Sequence, residues 1–303
     1  MEQSIKVAIA QVAPIFLDKE KTIEKACQLI RDAGENKAQL IVFPEAYVSG
    51  YPDWTWLIPN TQGAILNELY SKLVQNALTD NGPELRLLAK TAKESNIHVA
   101  IGANERNSES SNSSLYNSLF FINNKGHLMG KHRKLIPTGA EKLIWGQGDG
   151  STLKTYATKI GVIGGLICWE NRMPAARMAL YKQGLQLLIS PTWDKSESWI
   201  TSMKHIAIEG GVYVLSACMA LHKDDIPDEY EFKSLYPKDR EWINGGHSVI
   251  IDPKGNIIKG PLSNKQEIMY ADLDLDEIIK AKRLFDVSGH YSRPDVFKFK
   301  IKR

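Results

Sequence analysis

The sequence predicts an α/β protein built on one or more mixed β-sheets. In the first part of the chain, β-branched apolar runs alternate with segments whose apolar residues recur at helical spacing. The run from Ala38 to Phe43 is almost continuously apolar, as expected of a strand that is covered on both faces. Short runs joined by turn residues, such as residues 123–126, indicate antiparallel hairpins between and after these units. No internal repeat or linker divides the 303 residues, so we expect a single domain over 1–303, with a C-terminal tail from about residue 286.

Each strand is predicted from an apolar or β-branched run, and each helix from apolar spacing and signals at its start. Asp18 can cap the first helix, in which Cys27 falls on the apolar face, and Pro83 stands where a helix tolerates proline. The predicted strands cover residues 5–12, 38–43, 97–103, 115–122, 127–131, 160–167, 186–190, 212–217, 248–252, 256–258 and 268–273. The predicted helices follow Asp18 and cover 65–78, 83–95, 173–183, 199–210 and 274–285. The segment 221–245 is long, charged and without periodicity, which is typical of a functional or interface loop.

Composition and charge exclude several classes of function. The chain has 38 basic and 35 acidic residues, and a net charge of +3 is too balanced to favour binding to nucleic acid or a membrane surface. No apolar run reaches the length of a membrane span, and the first residues lack a signal-peptide pattern. Cys27, Cys168 and Cys218 form no C-x-x-C pair, and the histidines show no H-E-x-x-H motif, so neither a disulfide framework nor a zinc site is indicated. We therefore expect a cytoplasmic protein that uses no metal or cofactor.

Three reactive side chains follow predicted strands directly. Glu45 comes after the strand that ends at Phe43, Lys134 follows the hairpin, and Cys168 follows an apolar, glycine-containing strand. The carboxyl edge of an α/β sheet is where such proteins place their chemistry. A carboxylate can take a thiol proton, a thiolate can attack an electrophilic carbon, and an ammonium can stabilise the resulting negative charge. Spacing alone leaves the alternatives open: a buried structural cysteine, an exposed acid and a solvated basic run.

Four motifs in order change that balance. The sequence FPEAY at 43–47, followed by GYP at 50–52, resembles the glutamate motif of the nitrilase, or carbon–nitrogen hydrolase, superfamily. HRKLIPT at 132–138 is similar to the lysine motif of that superfamily, and GGLICWEN at 164–171 to its cysteine motif. Residues 286–295 resemble the closing motif of true nitrilases. The resemblance covers nearly the whole chain.

The resemblance implies a fold, a reaction and a set of roles. The fold is a four-layer αββα sandwich whose subunits pair, so a homodimer or larger homo-oligomer is expected. Cys168 is the implied nucleophile, Glu45 the general base and Lys134 the charge stabiliser, while Glu141 matches a second glutamate that holds the lysine and the substrate. The substrate is a small organic nitrile, which reacts with water through a thioimidate and an acyl-enzyme to give a carboxylic acid and ammonia, with some amide as a by-product.

Two other functions compete with nitrile hydrolysis. An amidase or carbamoyl-amide hydrolase would use the same residues, but Trp169 and Glu170 after Cys168 resemble the nitrilase branch, since the amide-cleaving branches more often carry Tyr-Asp or Phe-Asp there. A non-catalytic scaffold of the same fold would need none of the four polar residues.

A site that excludes water also needs walls, and we expect these to come from aromatic side chains. The candidate wall residues are Tyr51, Trp54, Trp145, Trp169 and Trp193.

Overall fold

A computed structural model describes residues 4–301, and in it two β-sheets lie face to face with helices on their outer sides. The strands are β1 (Ser4–Gln11), β2 (Leu40–Val42), β3 (His98–Arg106), β4 (Leu115–Ile122), β5 (Leu128–Arg133), β6 (Thr155–Thr158), β7 (Gly161–Gly165), β8 (Leu187–Ile189), β9 (Tyr213–Ser216), β10 (Ala220–His222), β11 (Trp242–Ile251), β12 (Ile257–Ser263) and β13 (Glu267–Asp274). The helices are α1 (Lys19–Glu35), α2 (Gly63–Gln75), α3 (Pro83–Glu94), α4 (Pro174–Tyr181), α5 (Glu197–Gly210) and α6 (Asp276–Lys282).

Both sheets are mixed, as predicted. The first has the order β13-β1-β2-β3-β4-β5, in which β1, β2 and β3 are parallel and the outer pairs are antiparallel. The second has the order β10-β11-β9-β8-β7-β6, with β7, β8 and β9 parallel and β12 paired to β11. In each sheet the parallel strands are linked through helices, so their carboxyl ends lie at one edge.

Alternation along the strands divides the apolar residues between layers. In β1, Val7 and Ile9 join the core between the two sheets, while Ala8 and Ala10 face α1 and α3 on the outside of the first sheet. A third core lies between the second sheet and the pair α4 and α5, and it contains the fully buried Trp199. Helix, sheet, sheet and helix therefore form the expected αββα sandwich.

The structure departs from the predicted elements mainly near glycines and short edge strands. β11 begins at Trp242 instead of Ser248, because Gly245 and Gly246 lie within a bulged strand and hide its alternation. The short strands β6 and β10 were not predicted, and β10 lies in a segment that the sequence indicates as loop. That segment otherwise holds two 3-10 turns, and its apolar residues pack in a further core beside the site. No helix in residues 4–301 combines the length and apolar character needed to cross a membrane.

Candidate active site

Glu45, Lys134 and Cys168 meet between the two sheets at the ends of β2, β5 and β7. Glu45 can enter this position because β3 passes close to the chain that carries it. A side chain at Gly102 of β3 would place its Cβ 2.1 Å from the carbonyl oxygen of Pro44, so this approach requires glycine. Cys168 follows β7 on a tight 3-10 turn, Cys168–Arg172, that leads into α4. The structure thus brings together the three strand-end residues that the sequence indicated.

The ammonium of Lys134 lies between two buried carboxylates. Its Nζ is 2.8 Å from Glu45 Oε1 and 2.7 Å from Glu141 Oε2, and all three side chains are at most 2% exposed. Asn117 of β4 donates to Glu45 Oε1 at 2.7 Å, and the hydroxyl of Tyr51 donates to Glu141 Oε1 at 2.8 Å. Each charged group is therefore held by more than one partner, which a buried ion cluster needs to offset its desolvation.

The backbone fixes the same carboxylates. The N–H of Trp193 donates to Glu45 Oε2 at 2.8 Å. The N–H of Thr138 donates to Glu141 Oε2 at 2.7 Å, as part of a capping box at the start of a 3-10 turn, Gly139–Leu143. With these bonds in place, neither carboxylate can rotate without losing a buried partner.

The electrostatics of the cluster suit proton transfer. Burial raises the pKa of Glu45 more than the charge of Lys134 lowers it, so this carboxylate is a better base than an exposed one. Burial alone would lower the pKa of Lys134, but the charges of Glu45, Cys168 and Glu141 outweigh it and hold the pKa above its ordinary value. Burial, with Glu45 next in importance, raises the pKa of the Cys168 thiol to about 12. The ammonium therefore stays charged, and the thiol needs a base beside it to become a nucleophile.

Cys168 has a backbone conformation that L residues rarely adopt. Its φ is 51°, in the left-handed region, and such strain costs on the order of 1–3 kcal/mol unless the surroundings impose it. Here the Cys168 N–H donates to the carbonyl of Pro191 at 2.8 Å, and the Asn171 side chain donates to the carbonyl of Cys168 at 2.9 Å. The turn thereby presents the thiol, which is 4% exposed, to a cavity.

Glu170 connects the segment that carries Lys134 with the segment that carries Cys168. Its Oε1 accepts from the Ile167 N–H at 2.5 Å and from His132 Nε2 at 2.8 Å, and its Oε2 accepts from the Leu135 N–H at 2.9 Å. The first of these donors precedes Cys168, and the other two flank Lys134. One buried carboxylate therefore joins the backbone around both groups.

A cavity of about 570 Å³ opens above Cys168. It is lined by Tyr51, Asp53, Trp56, Thr138, Glu141, Cys168, Trp169, Trp193, Asp194, Ser196 and Ser198. The rings of Tyr51 and Trp193 stack 4.5 Å apart and nearly parallel, and the indole N–H of Trp169 donates to Asp194 at 2.8 Å. Four aromatic side chains thus form part of the wall, and three of them, Tyr51, Trp169 and Trp193, are held by defined contacts.

Three of the five predicted wall residues line this cavity, namely Tyr51, Trp169 and Trp193. Trp54 does not line it: the side chain is 1% exposed and packs in the neighbouring core, while Trp56, two residues later, faces the cavity and is 51% exposed. Trp145 also lies behind the wall, 3% exposed, with its ring edge against Tyr51. Both indoles belong to one 3-10 turn, Asp53–Trp56, and packing places Trp54 in the core and Trp56 on the cavity.

Several residues of the site were not predicted as functional, and four of them make the most informative contacts. Asn117 donates to Glu45, and Glu170 accepts from the backbone N–H of Ile167 beside Cys168. Trp56 lines the cavity, and Thr192 contacts the Cys168 sulfur. Thr192 could have been found, because it follows a predicted strand at the same sheet edge as Cys168. Asn117 lies within a strand, where the sequence gives no such signal.

Comparisons with known proteins bear on the family of the chain. The model of the family described as carbon-nitrogen hydrolase matches residues 6–283. Nitrilase 2 of Arabidopsis thaliana is 42% identical over 96% of this chain and 87% of its own length. A Nicotiana tabacum protein named bifunctional nitrilase/nitrile hydratase NIT4B is 40% identical over 97% of this chain and 84% of its own. The crystal structure of Saccharomyces cerevisiae Nit3, a member of the nitrilase superfamily, superposes with a TM-score of 0.74 over 96% of this chain and 97% of that chain. The two sequences are 22% identical, so this comparison shows a likeness of fold. The chain therefore belongs to the carbon–nitrogen hydrolase family.

Proposed function

We propose that this protein is a nitrilase, which converts an organic nitrile and two molecules of water into a carboxylic acid and ammonia. The observation that carries the proposal is the buried Glu45–Lys134–Glu141 cluster placed beside Cys168 at the floor of an aromatic cavity. The relatives named nitrilases at about 40% identity support the choice of nitriles within the family.

In the first step, the Cys168 sulfur attacks the nitrile carbon. Glu45 takes the thiol proton, the S–C bond forms, and one π bond of the nitrile moves to nitrogen as an electron pair. Lys134 and the backbone N–H of Trp169 stabilise this negative charge. The Trp169 N–H lies in the first turn of a 3-10 helix, where N–H groups have no acceptor within the helix. Glu45 then passes the thiol proton to this nitrogen, which completes a neutral thioimidate and leaves the Glu45 carboxylate ionised for the next step.

Two additions of water complete the reaction. The first, assisted by Glu45, adds to the thioimidate carbon and gives a tetrahedral intermediate that expels ammonia and leaves an acyl-enzyme. The second hydrolyses the thioester and returns the proton to Cys168. If the tetrahedral intermediate expels the thiolate instead, the product is an amide. The name of the tobacco relative includes both activities, so acid and amide both have to be measured.

Glu141 is proposed as a positioning residue. Its Oε2 contacts Lys134, its Oε1 accepts from Tyr51, and it also lines the cavity. It thereby fixes the direction of the ammonium, which a single carboxylate partner would leave free to rotate. Tyr51, Trp169 and Trp193, together with Trp56, are proposed to bind the organic group of the nitrile.

An amidase or carbamoyl-amide hydrolase is the alternative, since the same three groups can attack a carbonyl carbon. A panel of nitriles with their matched amides separates the two functions when acid, amide and ammonia are followed over time. We expect ammonia and acid from nitriles. Ammonia from amides without any from the matched nitriles would refute the proposal.

The variant Cys168→Ala should abolish turnover, because no other group in the cluster can form the covalent intermediate. Cys27→Ala is the matched control, since Cys27 is similarly buried but lies on α1, in the core outside the first sheet. Turnover by Cys168→Ala at the rate of the control would exclude Cys168 as the nucleophile and refute the proposed mechanism.

Assembly, domain organisation and compartment are proposed on the family resemblance. A homodimer or larger homo-oligomer is supported by large apolar side chains left exposed near the end of the described chain, including Ile279, Leu284 and Phe297 at about 70%. Light scattering after gel filtration tests the assembly, and limited proteolysis tests the single domain over 1–303 and its tail from about 286. Cell fractionation tests the proposed cytoplasmic location.

A further inference from the structure

Thr192 is a buried polar residue that contacts the reacting sulfur. It is 0% exposed and follows β8, the parallel neighbour of β7. Its Oγ1 lies 3.3 Å from Cys168 Sγ. The backbone fixes this position, because the Thr192 N–H donates to the Ala217 carbonyl at 2.9 Å and the preceding Pro191 accepts from the Cys168 N–H.

The direction of the hydroxyl proton follows from a second contact. Thr192 Oγ1 accepts a hydrogen bond from the Asp194 N–H at 2.9 Å, which occupies one side of the oxygen. A hydroxyl has one proton to donate, and Cys168 Sγ is the acceptor that the structure gives it among residues 4–301. The Thr192 hydroxyl therefore points its proton at the sulfur.

The surroundings of the sulfur show why such a donor matters. The titratable groups that face Cys168 are Glu45, Glu141, Lys134, Tyr51 and Cys218. Two of them are carboxylates, which oppose a negative sulfur, and only Lys134 is a cation. A neutral donor adds stabilisation without a further charge to desolvate, and hydrogen bonds to charged acceptors are stronger than those to neutral ones.

We propose that Thr192 is a catalytic residue whose hydroxyl donates a hydrogen bond to the Cys168 thiolate, both when the nucleophile forms and when it leaves. This role rests on the proposed function of Cys168. When the thiol proton passes to Glu45, the sulfur becomes negative and the hydrogen bond strengthens. When the S–C bond forms, the charge moves to the nitrile nitrogen and the bond weakens. Thr192 keeps its own proton throughout, so the balance of the reaction does not change.

The test is the rate at which Cys168 is alkylated by iodoacetamide, measured by peptide mass spectrometry at pH 8. Thr192→Val keeps the shape of the side chain, and therefore access to the sulfur, but removes the donor. The thiol pKa should rise by about one to two pH units. Because a more basic thiolate is also more nucleophilic, the rate at pH 8 should fall by about threefold to fifteenfold. Thr192→Ser keeps the hydroxyl and should react like the wild type.

Thr91→Val is the matched control. Thr91 is 1% exposed, lies beside Cys27 in the α1–α3 layer and donates to the Leu87 carbonyl at 3.0 Å, so the change removes a buried hydroxyl beside a cysteine outside the site. It should leave the alkylation of Cys168 unchanged. Alkylation of Thr192→Val at the wild-type rate, or of Thr192→Ser as slowly as Thr192→Val, would overturn the proposal. If Thr192→Val does not fold, Thr192→Ala removes the same donor with less bulk and carries the same expectation.

Turnover gives a second readout. Since the donor acts on the sulfur and not on the organic group, Thr192→Val should lower kcat about tenfold or more, while KM stays within about twofold. A change in KM alone would indicate that Thr192 only holds the loop at Asp194, and would contradict the catalytic role. The alkylation assay needs no substrate. A wild-type enzyme that hydrolyses no nitrile would therefore refute the nitrilase proposal and leave the Thr192 result standing. Conversely, nitrile hydrolysis by the wild type with unchanged alkylation of Thr192→Val would refute only the role of Thr192.

Discussion

The carboxylate of Glu170 should hold the lysine and cysteine segments together, and Glu170→Gln tests this directly. Glu170 is fully buried, and its two oxygens accept from the backbone N–H groups of Ile167 and Leu135 and from His132 Nε2. A glutamine has one acceptor oxygen and one NH2 group in the same space. Whichever way it turns, at least one buried donor then faces another donor.

The cost can be worked from these contacts. A buried N–H left without an acceptor costs about 1–3 kcal/mol, and each remaining bond loses about 1 kcal/mol when its acceptor changes from charged to neutral. We therefore expect Glu170→Gln to lower the free energy of unfolding by about 3–5 kcal/mol. We also expect kcat to fall at least tenfold, because Lys134 and Cys168 lose their common anchor and small displacements at a reacting centre are costly.

Urea unfolding followed by circular dichroism, at equal protein concentrations, measures the first effect, and initial rates on the best nitrile measure the second. Glu68→Gln is the control: this side chain is 70% exposed and forms a surface ion pair with Lys72. Its removal should change the free energy of unfolding by less than about 0.5 kcal/mol. If Glu170→Gln behaves like this control in both assays, the connection through Glu170 does not position the site.

Three further changes have defined outcomes. Lys134→Met should reduce kcat by about a thousandfold or more and lower the free energy of unfolding by about 3–5 kcal/mol, because two buried carboxylates lose their cation. Lys142 is exposed, so Lys142→Met should change neither quantity. Equal rates for the two variants would exclude the role of Lys134. Gly102→Ala should lower kcat at least tenfold and reduce the free energy of unfolding in urea by about 1–3 kcal/mol, since the new Cβ would clash with the Pro44 carbonyl beside the general base. Wild-type kinetics would show that β3 can move away without cost. Burial lowers the pKa of His98 to about 4, so between pH 6.5 and 4 the unfolded chain binds more protons than the folded one and the free energy of unfolding should fall as the pH falls. His98→Gln should lose less stability than the wild type between pH 7 and 4.5, and an equal loss in both would contradict the assignment.

Much of the site could be predicted because its chemistry follows strand ends. Glu45 and Cys168 follow apolar runs, Lys134 follows a predicted hairpin strand, and the carboxyl ends of such strands lie at one edge. Binary patterning likewise predicted the main strands and helices, and the core position of Cys27 in α1. The family motifs added the pairing of the two sheets and the expectation for Glu141, which local spacing does not contain.

The order of residues along the chain therefore specifies most of the local conformation and the set of reactive groups. Which neighbours hold those groups depends on how the sheets and helices pack. Trp54 and Trp56 share one aromatic turn, yet packing buries the first and leaves the second on the cavity. Glu170 and Thr192 contact partners that are 35 and 24 residues away in sequence. Such contacts depend on the relative placement of whole strands, which the burial of apolar faces between two sheets fixes and which no local pattern of residues encodes.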